Sequence, residues 1–139
     1  MKKDLNTRRD IELLVDSFYQ KVEQDDLIGH IFTYVAKVNW AHHLPKMYDF
    51  WETILFGEKG FKGNPMEVHF KLNQEYPLEE RHFERWKDLF YSTVDEHFEG
   101  EFANLVKQKA RSIADLMLYK ISTSAKPIIT VKNKPQTNL

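Results

Sequence analysis

Asn64-Pro65-Met66-Glu67-Val68-His69-Phe70-Lys71-Leu72 is the stretch on which the reading of this chain turns. It is a short apolar segment carrying one histidine. Gly57, Gly60 and Gly63 loosen the chain before it, and Tyr76-Pro77 stops it. Met66 and Phe70, with Leu72, are residues to be buried. His69 follows Met66 by three positions and shares its face on one helical turn. A single imidazole on an apolar face is ordinarily a core histidine hydrogen-bonded to backbone. The competing reading is an axial nitrogen donor to a metal or a haem. The rest of the chain decides between them, by whether it builds a pocket that faces this residue.

The bulk properties narrow the classes. A chain of 139 residues is one domain with room for a real core. Twenty basic and 21 acidic side chains leave a net charge of -1, so no charge excess points to nucleic acid or to an anionic membrane. The absence of cysteine excludes disulfides, thiolate zinc sites, iron–sulfur clusters and a cysteine nucleophile. Met1-Lys2-Lys3-Asp4-Leu5-Asn6 has no apolar run behind its lysines, so no signal peptide is expected. No apolar run approaches membrane-spanning length. A cytoplasmic protein is the expectation. Ten Phe, six Tyr and three Trp exceed what a small helical core needs. They suit a large flat ligand, and they equally suit aromatic-rich packing.

The chain in order reads as helices. Ile11, Leu14, Val15, Phe18, Tyr19 and Val22 recur at helical spacing, which predicts a helix from about Thr7 to Gln24. Thr7 with Asp10 resembles a capping box. Tyr19 falls on the apolar face, so its hydroxyl needs an internal partner, ordinarily a backbone carbonyl. Asp25-Asp26 can cap a short helix carrying Leu27, Ile28, Ile31, Phe32 and Val35. A loop around Lys37 to Asn39 follows. Trp40, His43, Leu44, Met47, Phe50, Trp51, Ile54 and Leu55 form the next stripe, stopped by Gly57. Proline is tolerated in a helix only in the first turn, so Pro45 predicts a helix starting near His42 to Leu44, with Trp40 and Ala41 in a separate lead-in turn. His43, Met47, Phe50, Trp51 and Ile54 then share a face, and His42 points about 100° away into solvent.

Pro77-Leu78-Glu79-Glu80 opens a further helix lined by Phe83, Trp86, Leu89, Phe90, Thr93, Val94 and His97. His82 and His97 lie near its ends and read as surface or capping residues. After Gly100 the last helix carries Phe102, Leu105, Val106, Ala110, Ile113, Ala114, Met117, Leu118 and Ile121. The domain is expected to cover residues 1–124. Residues 125–139 are expected to form a flexible tail, with Ile128-Ile129-Thr130-Val131 as an apolar patch. The sequence shows no strand pattern, repeat, phosphate loop, HExxH or nucleophile elbow. Asp25/Asp26 and Glu79/Glu80 read as helix-start acids.

Several pieces recur together in order: Ser17-Phe18-Tyr19, Asp49-Phe50-Trp51-Glu52, Leu55-Phe56-Gly57, Gly63-Asn64-Pro65 through His69, and Phe83-Glu84-Arg85-Trp86. In this combination the chain resembles a truncated haemoglobin of group III, from about Ile11 to Ile121. The resemblance implies an all-α fold, a two-over-two helical sandwich around one haem b. It implies His69 as the ligand to iron. It also implies Phe32, Met47, Phe50, Trp51 and Trp86 against the haem, with Tyr19, His43 and Trp86 on the distal side where the gas binds. The chain departs from the family pattern at Pro45. Oxygen held in such a site draws negative charge, and Tyr19 and Trp86 are hydrogen-bond donors suited to it.

Three functions follow as expectations. The first is binding or transport of O2, and of other diatomic gases such as NO and CO, by a monomer. The second is turnover of NO or peroxide with a separate reductase, since no flavin or nicotinamide domain is present. The third is a helical interaction module without cofactor.

Overall fold

A computed structural model describes residues 2–57 and 63–124. The stretch around Gly60 and the expected tail 125–139, with its Ile128 to Val131 patch, lie outside the described residues. Helix α1 is Arg8–Gln24, and the capping box is formed: the Thr7 side chain accepts from the Asp10 N–H while the Asp10 carboxylate accepts from the Thr7 N–H. Asp25 accepts from the N–H groups of Leu27 and Ile28 and starts the next turn. That turn continues as a π-helix, Ile31–Val35. Its wider winding, with the Ala36 N–H reaching Ile31 O at 2.8 Å, breaks the 3.6 period and carries Phe32 to the α1–α2 side.

Helix α2 runs without interruption from Trp40 to Phe56, and Gly57 ends it in the left-handed region at φ 76°. This corrects the expectation of a start near His42 to Leu44. Pro45 sits inside the helix, past its first turn. The carbonyl that loses a partner to the proline ring belongs to Ala41, which is exposed, so water can satisfy it. His42 is exposed as expected.

The His69 segment is an 11-residue helix, α3, Pro65–Glu75, longer than the loose turn expected. Asn64 caps it by accepting from the Glu67 N–H, and Pro65 occupies the first turn, where no N–H is needed. Helix α4 is Glu80–His97, capped by Glu79 and His82, and α5 is Glu101–Ser124.

Helices α1 and α2 form one layer and α4 and α5 the other. The layers meet through α1 against α4 and α2 against α5, and α3 leans on α5. This is the expected two-over-two sandwich. Ile11, Leu14, Phe18, Val22, Phe90, Val94 and Val106 fill its centre. Ala103, Ala110 and Ala114 are buried on α5, and their small side chains let the neighbouring helices approach. Among the described residues there is no strand, only a single bridge between Lys3 and Phe98.

Asp4 ties the two ends of the domain. Its carboxylate accepts from the Phe102 and Ala103 N–H groups at 3.0 and 2.9 Å, capping α5 from a distant part of the chain. Gly100 makes this possible: it holds φ +136°, and a Cβ there would lie 2.6 Å from the Asp4 carboxyl carbon. Partial burial pushes the Asp4 pKa up, but the hydrogen bonds from Phe102, Leu5, Ala103 and Glu101 outweigh it and hold the carboxyl below its ordinary 3.8. The contribution is therefore fully present above pH 3.8 and is lost as pH falls through the lower folded value. Asp4→Ala should lower unfolding free energy by about 1 kcal/mol at neutral pH. Denaturant titrations should show the gap to wild type closing in acid.

Candidate functional site

The site is assembled around His69 in the middle of α3. Its Nδ1 lies 2.7 Å from the carbonyl oxygen of Pro65, one turn earlier. A carbonyl only accepts, so Nδ1 carries the proton, and in the neutral ring Nε2 keeps its lone pair. Burial lowers the His69 pKa and the Pro65 carbonyl opposes that; burial wins, so the ring is held neutral. One backbone contact thus fixes both tautomer and orientation and leaves Nε2 a free base.

The surroundings are apolar and incompletely covered. No residue of α3 is buried, although the helix carries Met66, Phe70 and Leu72. Those three are half-buried, as are Phe32, Met47, Phe50 and Trp86. Apolar side chains on α2, α3, α4 and the π-helical turn are thus each left without full protein cover. Trp51 differs. It is 3% exposed, stacked on Phe90 at 5.0 Å and edge-on to Phe50 at 5.1 Å, so it braces the wall from within the core.

The other expected residues gather on the α1–α2 side. Tyr19 is 7% exposed, and its ring meets Phe18, Phe32, Trp40 and His43 at centroid distances of 4.8 to 5.9 Å. The backbone partner expected for its hydroxyl is not made: among the described residues the Tyr19 hydroxyl has no hydrogen bond. Burial pushes its pKa up, so it stays protonated and a donor. Trp86 is stacked on Phe90 at 5.5 Å and edge-on to Phe18 at 5.5 Å. Its indole N–H also has no partner among the described residues.

His43 turns inward despite Pro45. Its Nε2 is buried without a hydrogen-bond partner. Burial lowers its pKa first, then the charges of Lys46 and of His69. Charge on His69 thus disfavours charge on His43. Both are therefore neutral bases.

The sequence reading missed Trp40 as part of the site. Its ring packs against Tyr19 at 5.3 Å and His43 at 5.7 Å and stacks on Phe32 at 6.1 Å. Its spacing of three before His43 was the available signal, hidden by reading Pro45 as a barrier. His82 corrects another expectation. It caps α4, with Nδ1 accepting from the Glu79 N–H at 2.9 Å, but it is buried, and its Nε2 has no partner.

Comparison with known proteins now has a geometry to meet. The sequence profile of the family described as Bacterial-like globin matches residues 4–118. The group 3 truncated hemoglobin ctb of Campylobacter jejuni is 32% identical over 126 residues, covering 86% of this chain and 97% of that protein. The chain belongs to the group III truncated haemoglobins. A crystal structure of group III truncated hemoglobin from Campylobacter jejuni superposes with a TM-score of 0.76 at 28% identity, over 87% of this chain and 95% of that one. For a truncated haemoglobin, family membership implies haem-based gas binding, and the reading as a cofactor-free interaction module is set aside. The residues present fit a haem: a neutral, oriented imidazole with a free nitrogen, partly covered apolar side chains for a flat macrocycle, and polar groups on the Tyr19 side without a partner among the described residues.

Proposed function

We propose that this truncated haemoglobin holds haem b through His69 Nε2 and binds O2, with NO and CO as further ligands, on the side of Tyr19, His43 and Trp86. The observation that carries it is the His69 tautomer. The Pro65 carbonyl leaves Nε2 unprotonated on a helix that protein leaves partly bare. The chain has no cysteine, so the macrocycle is held without thioether bonds. When bound, haem iron supplies one position for a protein nitrogen and one for a diatomic gas. Met47, Phe50, Trp86 and Phe32 would hold the macrocycle and exclude water from it. Tyr19 and Trp86 offer donors to the negative end of the gas.

A second reading, turnover of NO or peroxide with a separate reductase, gains from one observation. The neutral His43 imidazole beside Tyr19 can take or give a proton at Nε2. Absorption spectra of the ferric, ferrous, CO and O2 forms test the first reading. A Soret band and a five-coordinate ferrous form that takes up CO are expected. Protein supplied with haem that shows no Soret band would overturn it. Steady consumption of NO or peroxide with an added reductant would favour the second.

A further inference from the structure

The two sides of the Tyr19 ring differ. On one side the pocket is shut. His43 Nε2 is sealed from solvent, and Tyr19 and Trp40 cover the imidazole edge-on at 5.2 and 5.7 Å. On the other side, between α1 and the first half of α2, lies a cavity of about 360 Å³ whose walls include Tyr19, Gln20, Glu23, Trp40 and Leu44. Tyr19 and Trp40 belong to both: they touch His43 and they line the cavity. Two rings separate that space from the distal imidazole.

We propose that this α1–α2 cavity is the route by which a diatomic gas reaches the distal side, with Trp40 as its inner gate. The inference rests on the haem reading above. Of the two rings, Trp40 is the less tightly held, with three ring neighbours against four and a half-buried side chain. Tyr19 sits in the middle of α1 and is wedged among four aromatic rings. Trp40 is the half-buried first residue of α2, where the helix has no preceding turn to hold it. Asn39 supplies no side-chain cap there. A swing of Trp40 away from Tyr19 and off its stack on Phe32 joins the cavity to the space beside His43.

The lining also suits the cargo. Leu44 and the aromatic rings give an apolar path, and Asp16 and Glu23 stand at the walls. The Tyr48 hydroxyl donates to Asp16 and ties α2 to α1 beside the cavity. An uncharged gas passes two carboxylates without electrostatic cost, whereas an anion is repelled.

Flash photolysis of the haem-loaded CO complex tests the route. Gln20→Trp fills the cavity from an exposed position outside the haem contacts, and Glu23→Trp does so one turn on. Either should slow bimolecular CO association and CO release together, by about tenfold each, while CO affinity and Soret position stay at wild-type values. Trp40→Ala should speed association. Haem-loaded Gln20→Trp and Glu23→Trp that both associate at the wild-type rate would overturn the route. So would a large acceleration in His43→Ala with none in Trp40→Ala. Wild-type protein that takes up no haem would instead remove the functional reading, and the route with it, a failure recognisable before any rate is measured.

Discussion

His69→Ala should give a folded protein that retains little haem, with its spectrum restored by added imidazole. The fold should survive because His69 contributes little to it. Its one hydrogen bond runs to Pro65, within its own helix, and no residue of α3 is buried. Loss of such a local bond costs about 1 kcal/mol. Circular dichroism and thermal midpoint should therefore stay close to wild type while the Soret band falls. Added imidazole refills the vacated position with the same donor atom, freed from the chain. His43 provides the control. It is the other neutral imidazole near the site, and His43→Ala should keep the haem. Full haem retention with an unchanged spectrum in His69→Ala would sink the assignment, and haem loss in His43→Ala alone would exchange the two roles.

The parts of the fold that were legible are those set by local chemistry. Thr7 and Asp10 formed their capping box because both partners lie within one turn. Gly57 and Asp25 likewise ended and began elements where their backbone and side-chain preferences put them. Pro45 shows where local reasoning fails. Proline disfavours a helix interior by about 3 kcal/mol or more, and here that cost meets opposing contributions. Ala41 is exposed, so its carbonyl is hydrated. Trp40 and His43 pack on Tyr19 only if the turn before Pro45 is helical. Tertiary contact decided the start of α2, and the single-residue rule could not register it.

The His69 helix was legible and under-read. Asn64 followed by Pro65, with Glu67 in the first turn, is a helix start in its own right. Helix α3 has no fully buried face, so its hydrophobic pattern is weak and suggested a shorter segment. Its apolar residues Met66, Phe70 and Leu72 pack on the core only in part. His82 failed for the opposite reason. A histidine near a helix start reads as solvated, and it is solvent-facing only if no neighbour covers it. Tyr76 does so, with its ring 5.8 Å from His82 and its hydroxyl 3.0 Å from His30 Nε2. The pairing of layers and the distal set came from the family resemblance, because spacing along one chain assigns faces but not which faces meet.

Tyr19→Phe should speed oxygen release by about tenfold or more, the equivalent of at least about 1.4 kcal/mol. The substitution keeps the ring and its four aromatic neighbours and removes only the hydroxyl. That hydroxyl has no hydrogen bond among the described residues, and burial keeps it protonated. Its removal breaks no hydrogen bond among the described residues, so without ligand the variant should unfold at a midpoint close to wild type. A residue whose removal spares the fold and harms ligand retention is held for the ligand. Oxygen draws more negative charge than CO in such a site, and a hydrogen bond to a charged acceptor is worth roughly 1.5–3 kcal/mol. CO release should therefore change less. Trp86→Phe should act in the same direction, because Phe90 and Phe18 fix the indole and its N–H also has no partner among the described residues. The two effects need not add, since donors around one ligand form a network. The competing arrangement has Tyr19 donating to His43 Nε2, whose ring is 5.2 Å away and whose nitrogen lacks a partner. Tyr19 would then compete with Trp86 for the gas. In that case stopped-flow measurements would show oxygen release unchanged or slower in Tyr19→Phe, and Trp86 would be the donor that holds the ligand.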